Sequence, residues 1–244
     1  MRKQFYYNGY SSGHFGAYIG GQGSFNAPAR DVTKVSIPGK NGDLIQDNGR
    51  YLNTTVTYNL VLVNTNVQPE VLSDIKSWLL APAGAYKRLS DDYETGIYRF
   101  ARLAGGLDWK MGPWLHTGKT QVIFDCRPQK YLNDGDVDVE LTESGSPIQL
   151  YNPTLFDAEP VMTIYAPSSG GEIKINGKSV KLTSCSTYTT INSISKECYK
   201  GSTNKNGTVE LQDYKFPVLV PGENSVDFVS GVTKVVIRPR WWKL

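Results

Sequence analysis

The stretch Pro38-Gly39-Lys40-Asn41-Gly42-Asp43-Leu44, with Asn48-Gly49-Arg50-Tyr51-Leu52-Asn53 close behind it, carries more information about the fold than any other part of this chain. Glycine and asparagine readily adopt the positive φ values at which a backbone reverses. Residues 55–63 follow at once and alternate with the two-residue period of a strand. We therefore predict a long turn over residues 38–53 that leads into a strand.

The composition favours β structure. The 244 residues include 15 Tyr and 8 Phe, together with 24 Gly and 13 Pro, which suits a chain of strands and turns better than a helix bundle. This length allows two modest domains or one large all-β domain. The formal net charge of +3 comes without a cluster of Lys and Arg, so the composition gives no reason to expect nucleic-acid binding.

The cysteines and the N-terminus indicate where the protein is made. Cys126, Cys185 and Cys198 are an odd number at wide spacing, which argues against a disulfide framework and against a zinc site. No apolar segment has the length of a signal peptide or of a membrane span. We expect a soluble protein made in a reducing cytoplasm, with no membrane partner.

One segment, residues 69–80, is predicted to be an α-helix with one face on a sheet. Pro69 suits the first helical position, Glu70 complements the helix dipole, and Pro82 stops the helix. Its apolar residues recur three and four positions apart: Val71, Leu72, Ile75, Trp78 and Leu79.

Most of the remaining chain alternates with period two and predicts strands. Residues 86–89 and 97–103 form the arms of a hairpin around an acidic loop, and residues 121–126 form another strand. The turn-forming patch at residues 131–136 marks a boundary between an N-terminal domain, 1–133, and a C-terminal domain, 134–244.

The C-terminal domain is predicted to be a β-sandwich. Ile173-Lys174-Ile175-Asn176-Gly177-Lys178-Ser179-Val180-Lys181-Leu182 is typical of a hairpin with a type I′ turn, its apolar residues inward and its lysines outward. Short strands at residues 214–220, 226–229 and 232–237 continue the pattern. The polar run 183–195 is expected to be a long loop or an edge strand.

No pattern of catalytic or metal-binding residues stands out. His14 and His116 have no ligand at metal-binding spacing, and Thr117-Gly118-Lys119-Thr120 has Pro113 where a phosphate-binding loop needs glycine. The acidic residues near Asp91 lack EF-hand spacing. We therefore predict no catalytic residue, no metal and no cofactor.

A series of motifs, in order along the chain, resembles the distal tail (Dit) proteins of siphoviruses, the long-tailed bacteriophages. Besides the opening stretch, the N-terminal motifs are Phe5-Tyr6-Tyr7-Asn8-Gly9, Ser11-Ser12, Phe15-Gly16, Tyr86-Lys87-Arg88-Leu89 and Tyr98-Arg99-Phe100-Ala101-Arg102. The later motifs are Thr120-Gln121-Val122-Ile123-Phe124, Phe216-Pro217, Pro221-Gly222-Glu223-Asn224 and Arg238-Pro239-Arg240-Trp241-Trp242.

The resemblance implies an all-β protein of two sandwich-like or barrel-like domains, the first with a single helix and the second galectin-like. It implies a structural virion protein without enzymatic activity. Such proteins form a homohexameric ring that joins the tail tube protein to the tail tip or baseplate and its receptor-binding proteins, and DNA passes through the lumen. A heterologous contact between neighbours must close this ring.

We predict that the N-terminal domain makes the ring contact through sheet edges and the central hairpin. The candidate contact residues are Tyr86, Arg88, Tyr93, Tyr98 and Arg99.

Two other functions remain open on the sequence. One is a carbohydrate-binding adsorption module, with Trp241 and Trp242 of the C-terminal domain as stacking platforms. Both histidines lie before residue 134, so that domain lacks the histidine used in galectin sugar sites. The other is a tail tube subunit, which would polymerise into tubes.

Overall fold

The computed structural model describes residues 2–63, 69–111, 117–143 and 145–244 of the chain. It divides into two compact units, one running as far as Lys130 and the other from Tyr131 to Lys243. Each unit has its own buried apolar core.

The first unit is a curved antiparallel sheet with one helix. Its elements are β1 (Phe5–Tyr7), β2 (Tyr10–Ser11), β3 (Ala17–Ile19), β4 (Arg30–Ser36), β5 (Asp43–Tyr51), β6 (Thr54–Val63), α1 (Pro69–Leu80), β7 (Lys87–Asp91), β8 (Ile97–Leu103), β9 (Lys110–Met111) and β10 (Thr117–Leu132). The sheet order is β2-β1-β7-β8-β10-β6-β3, with β9 also paired to β10. Helix α1 begins and ends at the predicted residues, and it is the one α-helix within the described ranges.

Aromatic side chains fill the core of this unit. The Phe5 ring stacks on Tyr58, with 4.9 Å between centroids, and on Trp78 of α1, with 5.5 Å. The indole nitrogen of Trp78 donates a hydrogen bond to the Tyr7 carbonyl at 2.8 Å, so the helix is fixed to the sheet by packing and by one buried polar contact. In β10, Phe124 faces this core, as the alternation predicted.

Strands β4 and β5 correct the prediction of a long turn over residues 38–53. The turn is confined to residues 37–42, and the first four residues of the second glycine-rich stretch, 48–51, lie within β5. Gly49 adopts φ +76° there, and the register with β4 shifts between Arg30 and Val32. The glycine therefore marks an irregularity in a strand, where only a residue without a β-carbon adopts this φ easily.

The second unit consists of two antiparallel sheets around one core, a β-sandwich. Its strands are β11 (Val139–Thr142), β12 (Ile148–Asn152), β13 (Val161–Ala166), β14 (Gly171–Ile175), β15 (Lys178–Leu182), β16 (Thr187–Asn192), β17 (Glu197–Lys200), β18 (Thr203–Asn204), β19 (Val209–Leu211), β20 (Gly222–Ser230), β21 (Lys234–Arg238) and β22 (Trp242–Lys243). One sheet has the order β11-β21-β13-β16-β17-β18, and the other has the order β12-β20-β14-β15-β19.

The β14–β15 hairpin confirms the sequence prediction. Asn176 and Gly177 adopt φ values of 51° and 77°, which a type I′ turn requires. Ile173 pairs with Val180 across the hairpin, and both side chains enter the core of the sandwich.

The polar run 183–195 was wrongly predicted as a loop or edge strand. Its residues 187–192 form β16, which lies between β13 and β17 inside a sheet. The Thr190 hydroxyl is 3.1 Å from that of Thr163 on β13, so a buried threonine there keeps a hydrogen-bond partner. Hydropathy does not reveal such a pair.

Residues 214–220 do not form the predicted strand. A 3₁₀ turn, Gln212–Tyr214, begins the segment, and Leu219 makes a single bridge to Ala158.

Among the described residues, the model contains no helix with the length and apolar character of a membrane span.

Candidate functional site

The central hairpin, β7 and β8, lies inside the sheet between β1 and β10. Two of its predicted contact residues, Tyr98 and Arg99, are only 4% and 5% exposed. The Arg99 guanidinium donates to Glu94 at 2.8 Å, and Lys130 donates to the other oxygen of Glu94 at 3.0 Å. Arg99 therefore fixes the hairpin from within the subunit, because a buried cation needs such a partner.

The acidic loop between these strands is held by Asp91. One carboxylate oxygen accepts hydrogen bonds from the backbone N–H groups of Tyr93 and Glu94, at 2.9 and 3.1 Å. The other accepts from the Tyr58 hydroxyl at 2.5 Å, and burial together with this carboxylate raises the pKa of Tyr58. The Tyr93 hydroxyl donates to the Gly21 carbonyl at 2.6 Å. The carboxylates of Asp91 and Glu94 therefore accept hydrogen bonds within the subunit, and their role in this loop is structural.

Tyr86 and Arg88 lie at the surface, on the outer side of the sheet. The Tyr86 hydroxyl donates to Asp125 at 3.1 Å, and the Arg102 guanidinium donates to the same oxygen at 2.9 Å. Burial opposes ionisation of Asp125, but hydrogen bonds from Asn53, Arg102 and Tyr86 outweigh it and lower the pKa of this carboxyl group. These contacts order an aromatic and cationic surface.

Arg88 covers Tyr98 on the same surface. Its guanidinium carbon lies 3.6 Å from the centre of the Tyr98 ring, a cation–π contact. Of the five predicted contact residues, Tyr86, Arg88 and Tyr93 are at least partly accessible, whereas Tyr98 and Arg99 are buried.

A further surface was missed in the sequence: the β4–β5 hairpin. Nearly all its residues are exposed, including Val35, Leu44 and Ile45, and the last two are 57% and 62% exposed. Val35 pairs directly with Leu44 near the turn, which forms an apolar patch open to water. The run Val32-Thr33-Lys34-Val35 before the first glycine turn, with three β-branched residues, was the available signal.

Two ion pairs hold the other end of this hairpin. Arg30 contacts Asp47 at 2.8 Å, and Arg50 contacts Asp31 at 2.6 Å. Hydrogen bonds from Arg30 and from the Gly49 backbone lower the pKa of Asp47, and those from Arg50 and Asn48 lower the pKa of Asp31. The hairpin is therefore ordered by its own backbone ladder and these exposed pairs.

The described part of the chain contains no cluster of side chains that could form a metal site. His14 lies at the surface against the rings of Tyr10 and Phe15, and His116 falls outside the described residues. Burial raises the pKa of Cys126 to about 12 and that of Cys198 to about 11, which leaves both thiols protonated and unreactive near neutral pH.

Trp241 and Trp242, which the sequence offered as sugar-stacking platforms, pack against other residues of the sandwich. Trp241 is 5% exposed and belongs to the core of the sandwich. Trp242 stacks on Phe156, with 4.3 Å between centroids, and its nitrogen donates to the Asp157 carbonyl at 2.9 Å. Burial of Trp241 leaves it no open face for a pyranose ring.

Comparisons with known proteins bear on the fold. The chain matches no protein-family model and no curated protein. It superposes on the crystal structure of the Dit protein (gp 19.1) of phage SPP1, described as a paradigm of the hub adsorption apparatus in phages that infect Gram-positive bacteria, with a TM-score of 0.76, 13% identity and 100% of each chain covered.

Two structures of the phage p2 baseplate in its activated conformation are also similar. The strontium form has a TM-score of 0.52 and 11% identity, with 96% of this chain and 97% of that chain covered. The calcium form has the same score and identity, with 98% of each chain covered. Along its whole length, this chain has the fold of a phage distal tail protein of the Dit type.

Proposed function

We propose that this chain is a structural protein of a phage tail hub. The observation that carries the proposal is the similarity to SPP1 Dit, which runs over the complete length of both chains and includes both units. The absence of any predicted catalytic motif in the sequence agrees with a role in assembly. In this role the protein joins the tail tube protein to the tail tip or baseplate and its receptor-binding proteins.

The hub is a homohexameric ring, and DNA passes through its lumen. A ring of identical subunits needs two different surfaces on each subunit that fit each other. We assign both surfaces to the first unit. The second unit, the galectin-like sandwich in this proposal, serves as a docking platform for the other tail proteins.

The β4–β5 hairpin is one of the two ring surfaces. A two-stranded hairpin is marginally stable alone in water, and this one exposes Val35 and Leu44 on one face and Ile45 on the other. Covering these side chains with a neighbouring subunit would remove apolar area from water and hold the hairpin in one conformation. In a single subunit these apolar side chains stay exposed to water.

The other ring surface is a groove of about 740 Å³ over β6 and β10. Leu60, Val61 and Ile123 contribute apolar lining, and Asp108, Lys110 and Lys119 contribute charges. The hairpin carries Lys34 and Lys40 beside Asp43 near its turn, so each side offers both signs of charge to the other. The exposed apolar side chains of the hairpin and the apolar lining of the groove support insertion of the hairpin of one subunit into the groove of the next.

Tyr86, Arg88 and Tyr93 remain proposed contacts at the margin of this interface. Tyr98 and Arg99 act indirectly, because they are buried and hold the central hairpin. Substitution of Arg99 should therefore lower subunit stability, whereas substitution of Arg88 should weaken assembly and also uncover the Tyr98 ring.

The test is the mass and shape of the purified protein. Light scattering should give about 163 kDa, six times the subunit mass of 27.1 kDa, and negative-stain images should show single rings. Long tubes would identify a tail tube subunit instead. One subunit at every concentration would overturn autonomous ring formation.

A matched pair of variants separates assembly from folding. Ile45→Asp on the hairpin should abolish the ring but leave the circular dichroism spectrum and the melting temperature of the subunit intact. Val137→Asp, at an equally exposed position (61%) in the second unit, should leave the ring intact. Loss of the ring in both variants would contradict the assignment to the hairpin.

A further inference from the structure

The sandwich has an apolar slot of about 230 Å³ beside β19. Its walls include Cys198 of β17, Val209 and Leu211 of β19, and Phe216 and Tyr214 of the following segment. Val209 and Leu211 also pack against the main core, so the slot is an opening at one margin of that core. It has the size of one large apolar side chain.

The strand beside this slot has a free edge. β19 pairs with β15 on one side, and no strand within residues 145–244 pairs with its other side. Thr183 donates to the Thr208 carbonyl at 2.9 Å, so the alternation of an antiparallel ladder directs the backbone groups of Glu210 toward β15 and those of Val209 and Leu211 away from it.

Backbone groups at this edge are available for pairing. The Val209 N–H donates to the Asn206 carbonyl. The Leu211 carbonyl faces the 3₁₀ turn Gln212–Tyr214, which leaves the Val209 carbonyl and the Leu211 N–H as the groups directed away from β15 for pairing. An added strand could thus pair with Leu211, and its inward side chain would enter the slot, as do those of Val209 and Leu211.

A strained turn next to the slot presents an aromatic ring. Asp213 and Tyr214 adopt φ values of 57° and 56°, a left-handed conformation that β-carbons disfavour. The Gln212 side chain accepts a hydrogen bond from the Ser179 N–H at 2.9 Å and so anchors the turn to β15. Tyr214 is held 98% exposed at the mouth of the slot. Exposed, rigidly held tyrosines are common anchors in protein interfaces.

We propose that β19 and its slot bind an extended segment of another protein by strand addition. The segment puts a large apolar side chain into the slot, and Tyr214 packs over it. Among the residues that line the slot, Lys196 carries the single charge; it pairs with Glu159 at 2.7 Å and its side chain is 51% exposed. A carboxylate beside the apolar residue of the segment would complement Lys196 and the neighbouring exposed Lys215.

The test uses short fluorescent peptides that alternate Thr with Leu or Phe and contain one Glu after the central apolar residue. Fluorescence anisotropy with the full chain should show saturable binding, which falls when the central apolar residue becomes Ser and when the Glu becomes Lys. Tyr214→Ala should weaken binding about tenfold. Tyr151→Ala, which removes another exposed tyrosine from the opposite edge strand β12, should leave binding unchanged.

A second readout identifies the edge itself. In a ¹⁵N spectrum of the full chain, the Leu211 amide should gain protection from exchange when the peptide binds. Absence of binding for every peptide, or equal binding by the Tyr214→Ala protein, would overturn the proposal. Because binding is measured on the subunit whether or not rings form, failure of ring assembly would leave this result standing.

Discussion

The β4–β5 and β14–β15 hairpins are built alike and differ in what covers them. Both are antiparallel pairs with glycines at positive φ in or beside their turns. The apolar residues of β14 and β15 share one face, whereas Leu44 and Ile45 lie on opposite faces of the β4–β5 hairpin. The β14–β15 hairpin buries Ile173 completely in the core of the sandwich, whereas Ile45 of the β4–β5 hairpin is 62% exposed. The sequence pattern of a hairpin thus predicts an apolar face and leaves open which molecule covers that face.

The difference has a thermodynamic consequence. Side chains of β14 and β15 contribute to the stability of the subunit, because they are removed from water when it folds. Side chains of β4 and β5 contribute only when a second molecule covers them. The two hairpins should therefore respond in opposite ways to folding and assembly assays.

The largest expected contrast is between Ile173→Ala and Ile45→Ala. Ile173→Ala removes buried methyl groups and leaves a cavity, so it should lower the free energy of unfolding by about 3 kcal/mol. Ile45→Ala should change it by less than about 0.5 kcal/mol. Urea denaturation of dilute subunits measures both, and a comparable loss for Ile45→Ala would mean that the hairpin packs within its own subunit.

The central hairpin, β7–β8, provides an intermediate case. Glu94→Gln should cost about 2 kcal/mol, less than a fully buried pair, because Glu94 is partly exposed while Arg99 loses its compensating charge. The same denaturation assay measures it, with Glu210→Gln, at an exposed pair with Lys181, as the control. Equal small effects at both positions would show that Arg99 finds solvent or another partner.

Replacing one glycine in the turn of each hairpin compares how much backbone strain in β14–β15 and in β4–β5 affects stability. Gly177→Ala should destabilise the second unit by about 1 kcal/mol, because alanine resists φ of +77° although its β-carbon would meet open space. Gly42→Ala faces a similar φ of +84° but should leave global unfolding unchanged. Calorimetry measures both melting temperatures. An equal drop for Gly42→Ala would show that the β4–β5 hairpin unfolds together with the core of the first unit.

The smallest effect is on the ion pairs of β4–β5. Because the pKa values of Asp31 and Asp47 are lowered in the folded hairpin, their contribution is present above the ordinary carboxyl pKa of about 3.9 and is lost as pH falls through the lowered values. The protection factors of the β4–β5 amides, which correct for the intrinsic pH dependence of exchange, should fall over that acidic range and also in about 1 M salt. Unchanged protection would show that the backbone ladder alone orders the hairpin.

Much of the fold could be predicted where one pattern dominated. Pro69 and Pro82 delimit α1, and Asn176-Gly177 specifies the turn of β14–β15, because these residues restrict the backbone locally. The all-β class followed from the alternation and the aromatic content. Similarity to Dit structures now supports that fold over the full chain.

The failures have a common physical cause. Strand β16 is rich in threonine, and its place inside a sheet depends on partners distant in sequence, such as the hydroxyl of Thr163. Gly49 marks a strand irregularity that looks like a turn in sequence. Local propensity cannot distinguish these cases, since long-range pairing decides them.

The candidate site shows the same limit. Arg99 looks like a surface residue by its charge, yet Glu94 and Lys130 enclose it in a buried network. Ile45 looks like a core residue by its hydropathy, yet it is exposed. Tyr86 is partly accessible and Arg88 is exposed, because both lie outside the apolar core of the first unit.

The most direct test is hydrogen exchange of the β4–β5 amides, compared between the assembled protein and dilute subunits. We expect fast exchange in the subunit and strong protection in the ring, with β14–β15 protected equally in both. Equal exchange of β4–β5 in both states would contradict the proposal that a neighbouring subunit covers this hairpin.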